Sequence, residues 1–275
     1  MSVKYKTQTA KLKAGPLTFL TRGKSTHDAE GKEHLPVVYL HGAGGLVKSR
    51  VHDMLSEDRR LVMPVIPGHD GTDFVPGVDS MPKLADFIAT FITQKLGGRC
   101  DLIGHSFGGW LAAWIAATHP DIVDLLVLEN PAGLRPGGQD GVPRGGIPAD
   151  AAELFRQMYK HPEKRPADDR PAEWLKANVG KVRHYHGGMP HDAELVKRLP
   201  DITAPTLILY GLDEEMVPIE TPRILSDGIP RHFLVYVYDA KHSIQVDQPD
   251  RMTNIVRDFF DRGEAFIVPS RKAAE

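Results

Sequence analysis

The sequence predicts an α/β protein: a mostly parallel sheet with helices on both faces, interrupted by an inserted helical cap. Three observations carry this. Short apolar runs alternate with helical patterns, as in strands buried on both faces. That alternation stops between residues 132 and 200, where no strand is evident, and then resumes. At 100–118 an apolar run, a glycine-rich pentapeptide and an Ala-rich helical run follow one another directly.

Taken in order, residues 17–21 form a short strand candidate, followed by a polar turn over 23–34. Residues 36–40 are a β-branched run ending in His41-Gly42-Ala43-Gly44-Gly45. Residues 61–66 read as the next strand, closed by Pro67-Gly68-His69-Asp70-Gly71. Over 81–96, Leu84, Phe87, Ile88, Phe91, Ile92 and Leu96 recur at helical spacing. A strand is expected at 100–104, a helix at 107–118 and a strand at 123–128 ending in Glu129-Asn130-Pro131. Glycine and proline cluster at 133–148, and helical pieces follow at 149–160, 171–178 and 192–199. Strands resume at 206–210 and 233–238 with a helix from Glu220 between them. An amphipathic helix closes the chain over 249–260, and the tail from 270 reads as frayed. The expected division is a core over 1–131 and 201–275 with a cap over 132–200.

Composition narrows the function classes. At 275 residues the chain is long enough for one large domain with an insertion. A net charge of −2 offers no basic surface for nucleic acid or anionic membrane. One cysteine, Cys100, excludes an intrachain disulfide and fits a reducing compartment. No run approaches the roughly 18 apolar residues of a membrane span, and the polar N-terminus lacks a signal-peptide core. The expectation is a cytoplasmic protein acting on a small molecule, with neither nucleic acid nor membrane as partner and with self-association left open.

Gly104-His105-Ser106-Phe107-Gly108 carries the most chemistry. A G-x-S-x-G run between strand and helix places a serine on a strained turn, its hydroxyl above the sheet and helix N–H groups nearby. Serine is a poor nucleophile without a base, and that base needs an orienting acid. His242 follows the last strand, where the base is expected. Asp213-Glu214-Glu215 follow the strand at 206–210, and Glu129-Asn130 follow an earlier one.

Five pieces in this order resemble the α/β-hydrolase fold superfamily over nearly the full chain: 41–45, 67–71, 104–109, Gly211-Leu212-Asp213-Glu214-Glu215-Met216-Val217-Pro218, and Lys241-His242-Ser243 before Gln248-Pro249-Asp250. The resemblance implies an α/β-hydrolase fold with Ser106 as nucleophile, His242 as base and an acid from the 211–218 loop. By register against Gly211 and Pro218, Glu214 fills the acid slot, with Asp213 one residue early as the alternative. The resemblance also implies an oxyanion hole from the N–H of Phe107 and that of Ala43, with Gly44 as the second choice. His41 and His105 read as shaping residues, and Trp110 and Trp114 as core.

The cap offers apolar pocket candidates: Leu134, Phe155, Met158 and Trp174, with Leu154, Tyr159 and Leu175 beside them. Arg135, Arg144, Arg156 and Arg183 are candidates for a substrate carboxylate. His184, His186 and His191 lie close in sequence but match no metal-ligand pattern, so neither metal nor cofactor is expected. The leading expectation is a carboxylic-ester hydrolase for small or medium apolar substrates. A hydrolase of C–C bonds in dienoate ring-fission products is the alternative, although the tryptophan such relatives often carry beside the histidine is Ser243 here. Lactonase, thioesterase and haloperoxidase activities stay open, with a non-catalytic receptor last.

Overall fold

The computed structural model describes residues 4–28, 31–136, 150–166, 172–189 and 191–266. The elements are β1 (Lys6–Lys11), β2 (Pro16–Arg22), β3 (Val37–Leu40), α1 (Arg50–Leu55), β4 (Leu61–Pro64), α2 (Met81–Lys95), β5 (Cys100–His105), α3 (Phe107–Thr118) and β6 (Val123–Glu129). Then come α4 (Ala151–Met158), α5 (Ala172–Lys181), α6 (Arg183–His186), α7 (Ala193–Arg198), β7 (Thr206–Gly211), α8 (Glu220–Gly228), β8 (His232–Val237), α9 (Ile244–Asp247) and α10 (Pro249–Arg262).

Eight strands form one sheet in the order β1-β2-β4-β3-β5-β6-β7-β8. The two pairings made by β2 are antiparallel, and all those from β4 to β8 are parallel. Side-chain alternation divides the core into two layers. Val38, Leu40, Leu102, Leu126, Leu128 and Ile208 face α2, α3 and α8 on one side. Val37, Tyr39, Ile103, Val127, Leu207 and Leu209 face α1 and α10 on the other. Both layers are buried, which is why the parallel strands read as unbroken apolar runs.

β1 and α1 differ from expectation, as do the four-residue helices α6 and α9. β1 is a strand where the sequence shows only a polar N-terminus. Five of its six residues are exposed, and Lys6, Thr7, Gln8, Thr9 and Lys11 carry no apolar face for a pattern to reveal. Its partner β2 supplies the buried Leu17, Phe19 and Leu20. α1 was likewise not anticipated; at six residues it is too short for a periodic signal.

Between β6 and β7 lie α4 to α7, with only an isolated bridge, Leu134 to His191, among the described residues. This helical segment is seated by apolar contact: Leu134, Val182, Tyr185, Leu195 and Leu199 belong to the same core layer as α3. Asp192 adds a polar anchor. Its Oδ2 accepts from the indole N–H groups of Trp110 at 2.8 Å and Trp114 at 2.7 Å, and its Oδ1 caps α7 by accepting from the Leu195 N–H at 3.0 Å. Most of the Gly/Pro run at 133–148, Arg144 and the tail from 270 lie outside the described residues. No described helix is long and apolar enough to cross a membrane.

Candidate active site

Ser106 stands between β5 and α3 with φ 54° and ψ −115°. An L-residue there is strained, and it persists only where its surroundings over-determine it. Those surroundings are explicit. The Ser106 N–H donates to Glu129 O at 2.9 Å, and Ser106 O accepts from the Trp110 and Ala132 N–H groups at 3.0 and 2.9 Å. The flanking glycines are steric necessities. A Cβ on Gly108 would lie 2.1 Å from Leu40 O, and one on Gly104 would lie 2.3 Å from Gly108 O. The pentapeptide therefore has glycine where strand and helix nearly touch.

The loop after β8 brings His242 to this turn. The His105 Nε2–H donates to His242 O at 3.0 Å, and the two imidazole rings lie 5.0 Å apart. Burial, followed by the neighbouring His242, pushes the His105 pKa well below the usual imidazole value. His105 is therefore a neutral strut between serine loop and histidine loop. On the other side of His242, Nδ1 lies 2.7 Å from Glu214 Oε2. Glu214 Oε1 accepts from the N–H groups of Met216 and Val217 at 2.6 and 3.2 Å, so the loop's own backbone fixes the carboxylate. The Glu214 side chain has no solvent exposure and that of His242 has 4 %. A buried carboxylate so held orients the ring and leaves Nε2 as the nitrogen facing away from the acid.

Asp213, the alternative acid, is placed elsewhere. Its carboxylate pairs with Lys160 of the cap at 2.7 Å and is well exposed. Consecutive loop residues point to opposite sides here, and the side facing His242 belongs to Glu214. The third acidic candidate, Glu129, is buried behind the site. Its Oε1 accepts from the Gln245 N–H at 3.0 Å, and no partner among the described residues reaches Oε2. Burial above all, with Asp247 and Glu214 nearby, pushes its pKa up to about 8.

Asn130 ties these loops together, a role that nothing in the sequence flagged. Its Nδ2–H group donates to Lys241 O at 3.0 Å and to His242 O at 2.9 Å. Its Oδ1 accepts from the Gly211 N–H at 3.0 Å, where the acid loop begins. Asn130 does this at φ 40°, a conformation asparagine tolerates better than most residues. The only sequence signal was an amide side chain at the end of a parallel strand.

The loop after β3 carries the oxyanion candidates. A Cβ on Gly42 would meet His105 Nδ1 at 2.9 Å and Ser106 Cβ at 3.3 Å, so this loop lies against the elbow. His41 is buried beneath it. Its Nε2 accepts from the Ile66 N–H at 3.0 Å, which leaves the proton on Nδ1 to donate to Gly42 O at 2.8 Å. Ala43 and Gly44 follow directly, while Phe107 opens α3 with its ring among His69, Trp110 and Tyr185. The 67–71 loop supports the arrangement, since Pro67 O accepts from the Tyr185 hydroxyl at 2.8 Å.

The four pocket candidates do not form one wall. Leu134 is buried in the core layer under the cap, its carbonyl accepting from the Thr221 hydroxyl. Met158 ends α4 with its carbonyl accepting from the Ser243 N–H at 3.0 Å. Phe155 lines an open groove of about 880 Å³ with Tyr159, Leu212, Glu214, Glu215 and Lys241, but Ser106, His242, Leu134, Met158 and Trp174 do not line it. Trp174 is 37 % exposed and sits against Gly71. The reason is that the helical segment between β6 and β7 is spread over several loops: α4 contacts those carrying Glu215 and Ser243, and α5 those carrying Gly44 and Asp70. Of the arginines, Arg135 donates to Met216 O at 2.9 Å and Arg156 pairs with Glu153 and Glu215. His184, His186 and His191 go to separate partners: the Val78 carbonyl, the Trp110 ring and the bridge to Leu134.

A strand–turn–helix serine, a histidine from the last strand loop and a buried acid from the loop before it define a serine hydrolase of α/β architecture. The chain belongs to the alpha/beta hydrolase family, whose sequence pattern it matches over residues 37–255. It is 23% identical over 265 residues to a 2-hydroxy-6-oxo-6-(2'-aminophenyl)hexa-2,4-dienoic acid hydrolase of Metapseudomonas resinovorans, covering 87% of this chain and 89% of that one. It is 27% identical over 248 residues to a pimeloyl-[acyl-carrier protein] methyl ester esterase of Aeromonas salmonicida, covering 81% and 94%. Among solved structures, a meta-cleavage product hydrolase of Pseudomonas fluorescens superposes with a TM-score of 0.72 at 20% identity, over 92% of this chain and 97% of that one. Both ester and C–C hydrolases therefore stand among its relatives.

Proposed function

We propose that this protein hydrolyses carboxylic esters of small or medium apolar substrates through an acyl-enzyme on Ser106. The observation that carries the reading is the 2.7 Å contact of Glu214 with His242 Nδ1, which leaves Nε2 as the ring nitrogen on the side away from the acid. In this scheme His242 takes the Ser106 proton as the oxygen attacks the ester carbonyl. The N–H groups of Phe107 and Ala43 hold the oxyanion. His242 then protonates the departing alcohol, and a water deprotonated by the same ring releases the acid.

A fluorophosphonate should label wild-type protein at Ser106 and leave Ser106→Ala unlabelled. Ester turnover in Ser106→Ala should fall by roughly 10⁶-fold. Undiminished hydrolysis by that variant would refute the scheme. The relatives acting on dienoate ring-fission products support a second reading, C–C hydrolysis at the same serine. A substrate panel of esters, thioesters, lactones and 2-hydroxy-6-oxodienoates separates the two. Under the ester reading kcat/KM for the best ester exceeds that for the best dienoate, and the reverse order selects C–C cleavage.

A further inference from the structure

The loop after β3 is held by a cap residue. Asn178 lies in α5 and is 1 % exposed. Its Nδ2 group donates to Gly44 O at 3.1 Å and to Asp70 Oδ1 at 2.8 Å. Its Oδ1 accepts from the Asp70 N–H at 3.2 Å. Asp70 in turn reaches the same loop from below, its Oδ2 accepting from the Leu46 N–H at 2.7 Å. Gly45 between them has φ 92°, and a Cβ there would lie 2.5 Å from Asn178 Nδ2 and 2.4 Å from Asp70 Oδ1. The glycine thus makes room for the amide and carboxylate that grip its neighbours on both sides.

We infer that Asn178 is a positioning residue through which α5 restrains the oxyanion loop on the C-terminal side of its donors, so that the hole is held to its working geometry more tightly while α5 is seated. The inference rests on the serine-hydrolase reading above. Peptide groups of residues 43–44 must point one N–H at the substrate oxygen, and a peptide group rotates as a unit. Holding the Gly44 carbonyl fixes the plane that bears the Gly45 N–H and restrains the ψ of Gly44, so it acts on the Ala43 and Gly44 donors from the adjoining peptide group rather than from their own. Without α5, the Gly44 carbonyl loses the Asn178 donor, Asp70 Oδ1 loses both Asn178 and the Trp174 indole N–H at 3.3 Å, and the Asp70 N–H loses the Asn178 acceptor. The loop keeps the contact of Asp70 with the Leu46 N–H, its internal turn from Gly45 N–H to Gly42 O at 3.1 Å and the His41 Nδ1–H bond to Gly42 O, none of which holds the Gly44 carbonyl. Oxyanion stabilisation depends on donors already aimed before charge develops, so loss of this grip weakens transition-state binding rather than substrate binding.

The test uses the full chain with Asn178→Ala and, as a milder change, Asn178→Ser. For an ester substrate, kcat is expected to fall roughly 10- to 100-fold while KM moves less than about threefold. Inhibition by a trifluoromethyl ketone, which forms a tetrahedral oxyanion adduct on the serine, should weaken by a similar factor. Hydrogen exchange in a peptide spanning 42–47 should accelerate, with exchange in α3 unchanged. Wild-type kcat in both variants, or a rise in KM alone, would overturn the inference. If Asn178→Ala does not fold, the Asn178→Ser comparison decides by the same criteria. Failure of the underlying reading is seen separately, as absence of fluorophosphonate labelling in wild type.

Discussion

At the residue scale, the site's chemistry was more legible than its scaffolding. Ser106 was readable because glycine at 104 and 108 reports a clash that no other residue avoids. Register against Gly211 and Pro218 favours Glu214, the residue that contacts His242 Nδ1, and Asp213 is the alternative in sequence because spacing cannot say which way a loop side chain turns. Exchange of each carboxylate for its amide separates their roles. Glu214→Gln should lower kcat for ester hydrolysis by roughly 10³- to 10⁴-fold, because the imidazole loses its orienting acceptor and the imidazolium its countercharge. Asp213→Asn removes only an exposed pair with Lys160, so steady-state kinetics should change by less than about threefold. Equal losses in the two variants would contradict the assignment. Asn130 and Asn178 were illegible for a different reason: each acts by satisfying backbone groups of loops distant in sequence, and no motif marks a residue for where its amide will land.

At the scale of elements, legibility followed the strength of the periodic signal. The parallel strands and α2, α3 and α10 bury continuous or striped apolar surface, and the sequence displays that directly. β1 and α1 lack such a stripe, and α6 has only four residues. In the cap the helical pieces at 149–160 and 192–199 are shorter than expected, since a short helix ends wherever its cap and turn chemistry dictate. What seats α7 against α3 is a polar contact hidden in an apolar layer. Asp192 holds two indole N–H groups and one helix N–H, so Asp192→Ala leaves three donors buried without that acceptor. Each hydrogen bond to a carboxylate is worth roughly 1.5–3 kcal/mol, and an N-cap about 1 kcal/mol. Urea denaturation followed by tryptophan fluorescence should show Asp192→Ala less stable by at least about 3 kcal/mol. By contrast Arg156→Ala, which breaks one exposed pair within α4 and one from α4 to Glu215, should cost less than about 1 kcal/mol.

At the scale of the whole molecule, the sheet buries an ionisable group at its centre, and stability depends on pH through it. Glu129 ends β6 beneath the site, fully enclosed, with its Oε2 unpartnered among the described residues. In the unfolded chain its carboxyl loses its proton near the ordinary value of 4.5; in the folded protein it keeps it up to about 8, chiefly because burial penalises the charge. Between those values the folded state binds the extra proton. The contribution of Glu129 to stability is therefore complete below about pH 4.5, declines as the pH rises toward 8, and is gone above that. Glu129→Gln keeps the shape and an acceptor for the Gln245 N–H but cannot ionise. Relative to wild type it should flatten the fall in stability between about pH 4.5 and pH 8, measured by urea denaturation at each pH. Its ester turnover should stay within about tenfold of wild type, because the acid on His242 is Glu214. A loss as large as that of Glu214→Gln would move the orienting role to the strand before, and an unchanged pH slope would mean that Glu129 is ionised in the folded protein at neutral pH.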